Sequence, residues 1–345
     1  MKQVRIGKRV MGNKQLTYFV AEIGGNFSTY NTGMKLINTA IGSGADAVKI
    51  QTFTAKNTVS KYATFDLPAV GGKKTQFEVL HALELDRKIQ KKLFDYCKKK
   101  NITIFSSPSH KSDVDFLEEN NIGAYKVGSD DLTNLPLIRQ IGRLLKPTII
   151  STGMSNLKDV KEAVKAFYST GNDKLILLHC VSFYPLDPKY ANLEAIITMR
   201  DTFGIPVGWS DHTKGIEVCI AAATLGANLI EKHFTLNKKA KGPDHIISAT
   251  PNELSRMIST IRMIEKAKGT GVKKPAKCEI RSVIDIRKSV VAAKKILKGS
   301  IITKDLLEIK RPATGLPPAK IETIIGKRAA KDIEQDKPIQ MQDLM

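Results

Sequence analysis

The sequence predicts an α/β chain in which a closed parallel (β/α)8 barrel is followed by a small C-terminal domain. Three observations carry this. From residue 18 to about residue 267, short β-branched runs alternate with longer amphipathic runs, as repeated βα units on a parallel sheet require. Eight such units fit into about 250 residues, the size of a closed barrel rather than an open doubly wound sheet. No GxGxxG fingerprint follows the first strand, so a dinucleotide-binding sheet loses its main support.

The predicted strands are 18–23, 47–52, 102–106, 124–128, 148–152, 174–179, 205–209 and 229–234. Between the second and third, residues 55–84 form a long insertion containing Asp66, Leu67, Pro68, Gly71 and Gly72, with a helical pattern resuming near Phe77. An insertion there is either an active-site lid or a plain surface excursion. Past the last barrel helix, a Lys-, Gly- and Pro-containing stretch at 266–277 reads as a linker. The resulting division is a barrel domain over 1–268, a linker over 269–286 and a module over 287–345. In that module short apolar runs are punctuated by Gly299, Pro312, Gly315 and Pro317-Pro318.

With 42% hydrophobic and 26% charged residues in 345, the chain can fill a sizeable core and keep a solvated surface, so a soluble globular protein is expected. The N-terminus lacks the apolar stretch of a signal peptide and no later run is long enough to span a bilayer, which points to the cytoplasm and to no membrane partner. Cys97, Cys180, Cys219 and Cys278 stand far apart and read as reduced structural residues. The net charge of +21 comes from scattered lysine pairs and triplets without interleaved aromatics. Solvated helix faces explain these better than nucleic acid, and no nucleic-acid partner is expected. The positive field would still draw in anionic substrates.

Polar residues collect where the predicted strands end, the face on which barrel enzymes build their sites. Glu22 closes the first strand, and Lys49 and Gln51 share a face of the second. Ser107 follows the third, Lys126 and Ser129 end the fourth, and Ser151 ends the fifth. Ser182 and Tyr184 follow the sixth, Ser210, Asp211 and His212 follow the seventh, and Glu231 and His233 alternate onto one face of the eighth. A lone strand-end serine is commonly only a helix cap. Lys49 and Lys126 are harder to dismiss, because lysines in apolar strands face a packed interior unless a charge meets them, and an anionic ligand would supply it. His212 and His233, on adjacent strands, can share one divalent ion. Two imidazoles with oxygen donors suit Mn²⁺, with Mg²⁺, Zn²⁺ and Co²⁺ also compatible, and Glu231 binds directly or through water.

These motifs resemble the sialic acid synthase family, which makes N-acetylneuraminic, legionaminic and pseudaminic acids. The matching stretches include Ala21-Glu22-Ile23-Gly24, Asp46-Ala47-Val48-Lys49-Ile50-Gln51, Lys126-Val127-Gly128-Ser129, Ser151-Thr152-Gly153-Met154 and Tyr184-Pro185. They continue through Gly208-Trp209-Ser210-Asp211-His212, Glu231-Lys232-His233-Phe234, Gly242-Pro243-Asp244-His245 and Lys310-Arg311-Pro312. The resemblance implies a TIM barrel with a C-terminal antifreeze-like (SAF) domain, joining phosphoenolpyruvate to an N-acetylmannosamine-type aldehyde. It gives Glu22, Lys49, Lys126 and His233 catalytic roles, and His212 and His233 the metal, manganese first. Lys49, Ser107, Lys126, Ser129, Ser151, Ser182 and Ser210 match phosphoenolpyruvate contacts. Gln51, Asp131, Tyr184 and Asp244 match sugar contacts, as does Arg311, which one subunit lends to its partner's barrel in a domain-swapped homodimer.

The sequence departs from the family pattern at Phe27, where histidine usually follows Asn26, at Asp131, where many members carry glutamate, and at Ser182. Two rival readings remain at this level. One keeps the chemistry with a phosphorylated sugar aldehyde; the other is an inactive carbohydrate-binding barrel.

Overall fold

Eight parallel strands close into a barrel in a computed structural model that describes residues 1–65 and 74–345. They are β1 (Tyr18–Glu22), β2 (Ala47–Thr52), β3 (Thr103–Pro108), β4 (Tyr125–Val127), β5 (Thr148–Ser151), β6 (Leu175–Cys180), β7 (Val207–Asp211) and β8 (Leu229–His233). Each pairs with the next in sequence, and β8 pairs with β1. Nearly every strand residue is buried, because one face fills the barrel and the other lies under helices.

The outer layer comprises α1 (Tyr30–Gly42), α2 (Arg87–Lys100), α3 (Lys111–Glu119), α4 (Leu135–Arg143), α5 (Leu157–Tyr168), α6 (Glu194–Phe203), α7 (Glu217–Thr224) and α8 (Pro251–Ala267). Local chemistry sets their ends. Asn156 and Asp159 make a reciprocal capping box at the start of α5, and Thr250 and Glu253 do so at α8. Helix α2 starts on the Asp86 side chain and stops at Asn101 in the left-handed conformation, φ 55°. It buries Gln90, Leu93, Phe94 and Cys97, while Lys98, Lys99 and Lys100 sit in its last turn, where the helix dipole favours cations. Part of the chain's excess positive charge thus stands at a helix end.

Strand limits differ from the sequence reading by one or two residues at their ends. Ser107, Ser210 and Asp211 lie inside strands rather than after them. Polar side chains here meet polar partners, Ser210 in the barrel mouth and Asp211 on the outer face of the wall, while their backbones stay in the ladder, so polarity there does not mark a turn. The sequence also gave no sign of the antiparallel hairpin Val4–Ile6 with Arg9–Met11, whose strands are too short to show alternation.

The 55–84 insertion carries a helix at Ala55–Thr58, paired two-residue strands Thr64–Phe65 and Lys74–Thr75, and a helix at Gln76–Leu83, where a helical pattern was expected. Asp66, Leu67, Pro68, Gly71 and Gly72 lie outside the described residues. The chain divides into two compact units, Met1–Lys268 and Gly269–Met345. In the second, β9 (Ser289–Ala292) pairs antiparallel with β10 (Leu307–Lys310) over a core that includes Val290, Ile296, Ile302, Ile324, Ile333 and Ile339. The stretch read as a linker contains a short helix, Ile280–Asp285. Among the described residues no helix is long and apolar enough to cross a membrane.

Candidate active site

Barrel register brings the polar strand ends together. Glu22 is level with Lys49 on one side and with His233 on the other, and Ser210 is level with Glu231. Lys49 forms a buried ion pair with Glu22, and its Nζ is 3.5 Å from Glu231 Oε1. The same Glu231 oxygen lies 3.9 Å from Lys126 Nζ and accepts a 3.0 Å hydrogen bond from Ser210 Oγ. Lys126 also donates to the Val127 carbonyl at 3.1 Å. The sequence reading assigned the lysines' counter-charge to a ligand. The structure corrects this: carboxylates from β1 and β8 already supply part of it.

These groups titrate apart. Burial pushes the Glu22 carboxyl up and outweighs the pull of Lys49. Burial acts the same way on Glu231, but Lys126 and Lys49 together outweigh it and hold this carboxyl below the usual range. Glu22 is therefore the member of the pair more ready to carry a proton, and Glu231 the anion. For Lys49, burial opposes the charge but Glu22 and Glu231 prevail, raising its affinity for the proton. For Lys126, burial wins over Glu231 and the amine is pushed down.

A second group is a serine cradle. The Gly153 N–H donates to Ser129 Oγ at 3.0 Å. A Cβ at Gly153 would stand 2.8 Å from Ser129 Oγ and would collide with Ser182 Oγ, so both hydroxyls close on that glycine. Ser107 Oγ and Ser151 Oγ are buried without a hydrogen-bond partner, as is Glu231 Oε2. Buried polar atoms left unpaired are uncommon, and several around two ammonium groups suit an oxygen-rich anion.

The two histidines form the third group. Their ring centroids are 5.7 Å apart, and the Tyr184 ring lies 3.9 Å from that of His212. His212 Nδ1 is 2.8 Å from the Val181 carbonyl, which fixes the proton on that nitrogen and leaves Nε2 as a lone-pair donor. His233 is buried, and burial, with the charges of His212 and Lys49, pushes it well below the usual histidine range, so it is neutral. Its Nδ1 has no hydrogen-bond partner and lies 3.7 Å from Asp244 Oδ2. Among the described residues no group of three or more His, Cys, Asp or Glu is arranged around an ion position. Burial opposes a charge on His212, but Cys180 and the Val181 carbonyl outweigh it and raise its hold on a proton; two imidazole donors with an adjacent carboxylate nevertheless fit a divalent ion that displaces that proton and completes its shell with water or substrate oxygen.

Around this floor stand the expected sugar contacts. Burial pushes Asp244 up to about 6 against the pull of His212 and Lys49. Burial also takes Asp131 up to about 6, although Asn134 donates to its Oδ1 at 2.8 Å. A Cβ on Gly24 would meet Gln51 Cγ at 3.0 Å, and one on Gly25, φ +75°, would meet Asp244 Oδ2 at 2.9 Å, so both turn glycines leave room for site side chains. Asn26 ties its loop to β8 by donating to the Phe234 carbonyl and to Ser248 Oγ, both at 2.9 Å. Phe27, the departure noted above, packs against the core near Gly33 and Leu93. Arg311 is exposed at the end of β10 in the second unit.

Sequence reasoning missed the shared role of Glu231 between the lysines. It also missed Cys180, whose Sγ is 3.9 Å from His212 Nδ1, and the buried partners of Lys232 behind the strand ends. Strict alternation along β8 was the available signal for Lys232: it must face away from the barrel if Glu231 and His233 face in.

Residues 36–273 match the model of the NeuB family, and residues 287–345 that of the SAF domain. The N,N'-diacetyllegionaminic acid synthase of Campylobacter jejuni is 41% identical over 329 residues, 94% of this chain and 98% of that one. The N-acetylneuraminate-9-phosphate synthase of Mus musculus is 34% identical, covering 96% and 93%. Among solved structures, the N-acetylneuraminic acid (sialic acid) synthetase of Leptospira borgpetersenii superposes with a TM-score of 0.73 at 29% identity, covering 82% of this chain and 95% of that one.

Proposed function

This chain belongs to the NeuB family, and we propose that its barrel joins phosphoenolpyruvate to the open-chain aldehyde of an acylamino hexose, giving a nine-carbon 2-keto-3-deoxy sugar acid and phosphate. The methylene carbon of phosphoenolpyruvate bonds to the aldehyde carbon. Water then adds at the adjacent carbon, and that carbon's bond to the phosphate oxygen breaks. One observation above all supports this: two buried lysines, partly neutralised by Glu22 and Glu231, stand beside unpaired serine hydroxyls.

In this reading Lys49, Lys126, Ser107, Ser129, Ser151, Ser182 and Ser210 hold the phosphate and carboxylate of phosphoenolpyruvate. Lys126 gains most from an arriving anion, since burial holds its charge down beforehand. Glu22, raised by burial, holds or passes a proton beside the reacting carbons. Gln51, Asp131, Tyr184 and Asp244 orient the sugar. His212 and His233 would hold a divalent ion, Mn²⁺ first with Mg²⁺ or Co²⁺ as substitutes, which when bound supplies Lewis-acid polarisation of the aldehyde oxygen. Arg311 would complete the sugar site of a partner subunit in a homodimer, and a biosynthetic role supports a cytoplasmic location.

Identity with the Campylobacter jejuni synthase supports a diacetamido-trideoxyhexose, with N-acetylmannosamine next. A phosphorylated aldehyde is the second reading, supported by the mouse relative. The test is phosphate release from phosphoenolpyruvate with Mn²⁺ across a panel of N-acetylmannosamine, its 6-phosphate and diacetamido-trideoxyhexoses. Release is expected only with a suitable aldehyde, and its absence across the panel refutes the synthase reading.

A further inference from the structure

Behind the two histidines, on the outer face of the barrel wall, lies a cluster that the proposed chemistry does not use. Asp211 and Lys232 face each other across the β7–β8 ladder, and both side chains are fully buried. Lys232 Nζ is 2.5 Å from Asp211 Oδ2 and donates at 2.5 Å to the Thr213 carbonyl. Thr213 Oγ1 is 3.0 Å from both Asp211 oxygens, and Trp209 Nε1 donates to Oδ1 at 2.9 Å. His212 thus sits between two residues that Lys232 grips, while Lys232 itself immediately precedes His233.

A buried ion pair is a poor source of stability, because removing two charges from water is costly, and apolar residues of similar volume commonly do as well or better. What such a pair does supply is a fixed geometry. We propose that Asp211, Lys232 and Thr213 form a positioning clamp that sets the spacing and orientation of the His212 and His233 imidazoles for a divalent ion. This rests on the metal reading above. The clamp residues touch neither ion nor substrate; they act through the backbone between strands.

The test is Mn²⁺ affinity, read by titration of the free-ion electron paramagnetic resonance signal. Fluorescence of Trp209, the chain's single tryptophan, reports the state of the clamp. His233→Ala examines the metal reading: it should abolish tight binding, and wild-type affinity there overturns that reading regardless of the clamp. The double variant Asp211→Leu/Lys232→Met examines the clamp. It should fold with a melting temperature near or above wild type and bind Mn²⁺ about 10- to 100-fold more weakly, as outer-shell changes do. Affinity within twofold of wild type, with His233→Ala inactive in binding, overturns the clamp and spares the metal. Should the double variant not fold, Thr213→Val decides, since it removes only the hydroxyl contacts: a loss of threefold or more supports the clamp and unchanged affinity overturns it.

Discussion

Glu231→Gln removes the carboxylate that both barrel lysines share while keeping its shape and an acceptor for Ser210. Its Oε1 lies 3.5 Å from Lys49 Nζ and 3.9 Å from Lys126 Nζ, so each attraction is worth about 4–5 kcal/mol at an effective dielectric of about 20. That gross figure is offset in part, because the substitution also relieves the desolvation of a buried carboxylate. Lys49 keeps Glu22, but among the described residues Lys126 has no other carboxylate within ion-pair distance. Its proton release sets a ceiling: about 1.36 kcal/mol per unit over the roughly 3.4 units from pH 7 to the free lysine value, or about 4.6 kcal/mol. The expected loss at pH 7 is therefore about 3–4.5 kcal/mol.

The sign with pH follows from the direction of the shift. A lysine held below its unfolded value binds fewer protons folded than unfolded, so stability rises with pH between the two values. Burial already holds Lys126 down in the native protein, and losing Glu231 deepens the shift, so the deficit of the variant narrows from pH 7 to pH 9. Urea unfolding of metal-free protein, followed by Trp209 within the barrel unit, measures it. Inorganic phosphate, an anion for the vacated charge, should raise the variant's midpoint more than the wild type's. Equal stability at pH 7 with equal pH slopes refutes the role of Glu231 as shared counter-charge.

Three further outcomes are expected. With Asp131 and Asp244 both pushed up to about 6, KM for the aldehyde should fall as pH rises from 5 to 7 and the carboxylates ionise to accept sugar hydroxyls; Asp131→Asn should remove part of that slope, and an unaltered profile refutes its role. Gly153→Ala forces a methyl to 2.8 Å from Ser129 Oγ, a crowding worth about 1–3 kcal/mol, so KM for phosphoenolpyruvate should rise about tenfold or more while the fold survives; an unchanged KM argues against the serine cradle. Mixing Glu22→Ala with Arg311→Ala subunits should restore part of the activity each lacks, and persistent inactivity after verified subunit exchange rules out an arginine lent between barrels.

The barrel was legible because its signals are local. Strands covered on both faces read as β-branched apolar runs, alternating with the amphipathic runs of the covering helices. Lys49 and Lys126 stood out for the same reason, each a charge inside an apolar run. What the sequence did not reveal depends on closure of the barrel. Glu22 meets Lys49 across the neighbouring β1–β2 ladder, but Glu231, from the last strand, reaches them only because β8 pairs with β1. Lys232 passed unnoticed between two site residues because its partner, Asp211, belongs to another strand.

The two lysines show what is lost without distances. Both look alike in sequence, yet Lys49 has two carboxylates close by and is held charged, whereas Lys126 has one at 3.9 Å and is pushed toward neutrality. Lys49 is thus a standing part of the site, already committed to Glu22 and Glu231. In the proposed chemistry Lys126 is the cation whose charge an incoming anion completes, and with unpaired hydroxyls of Ser107 and Ser151 also buried, that chemistry has the barrel mouth finished by its substrate rather than satisfied alone.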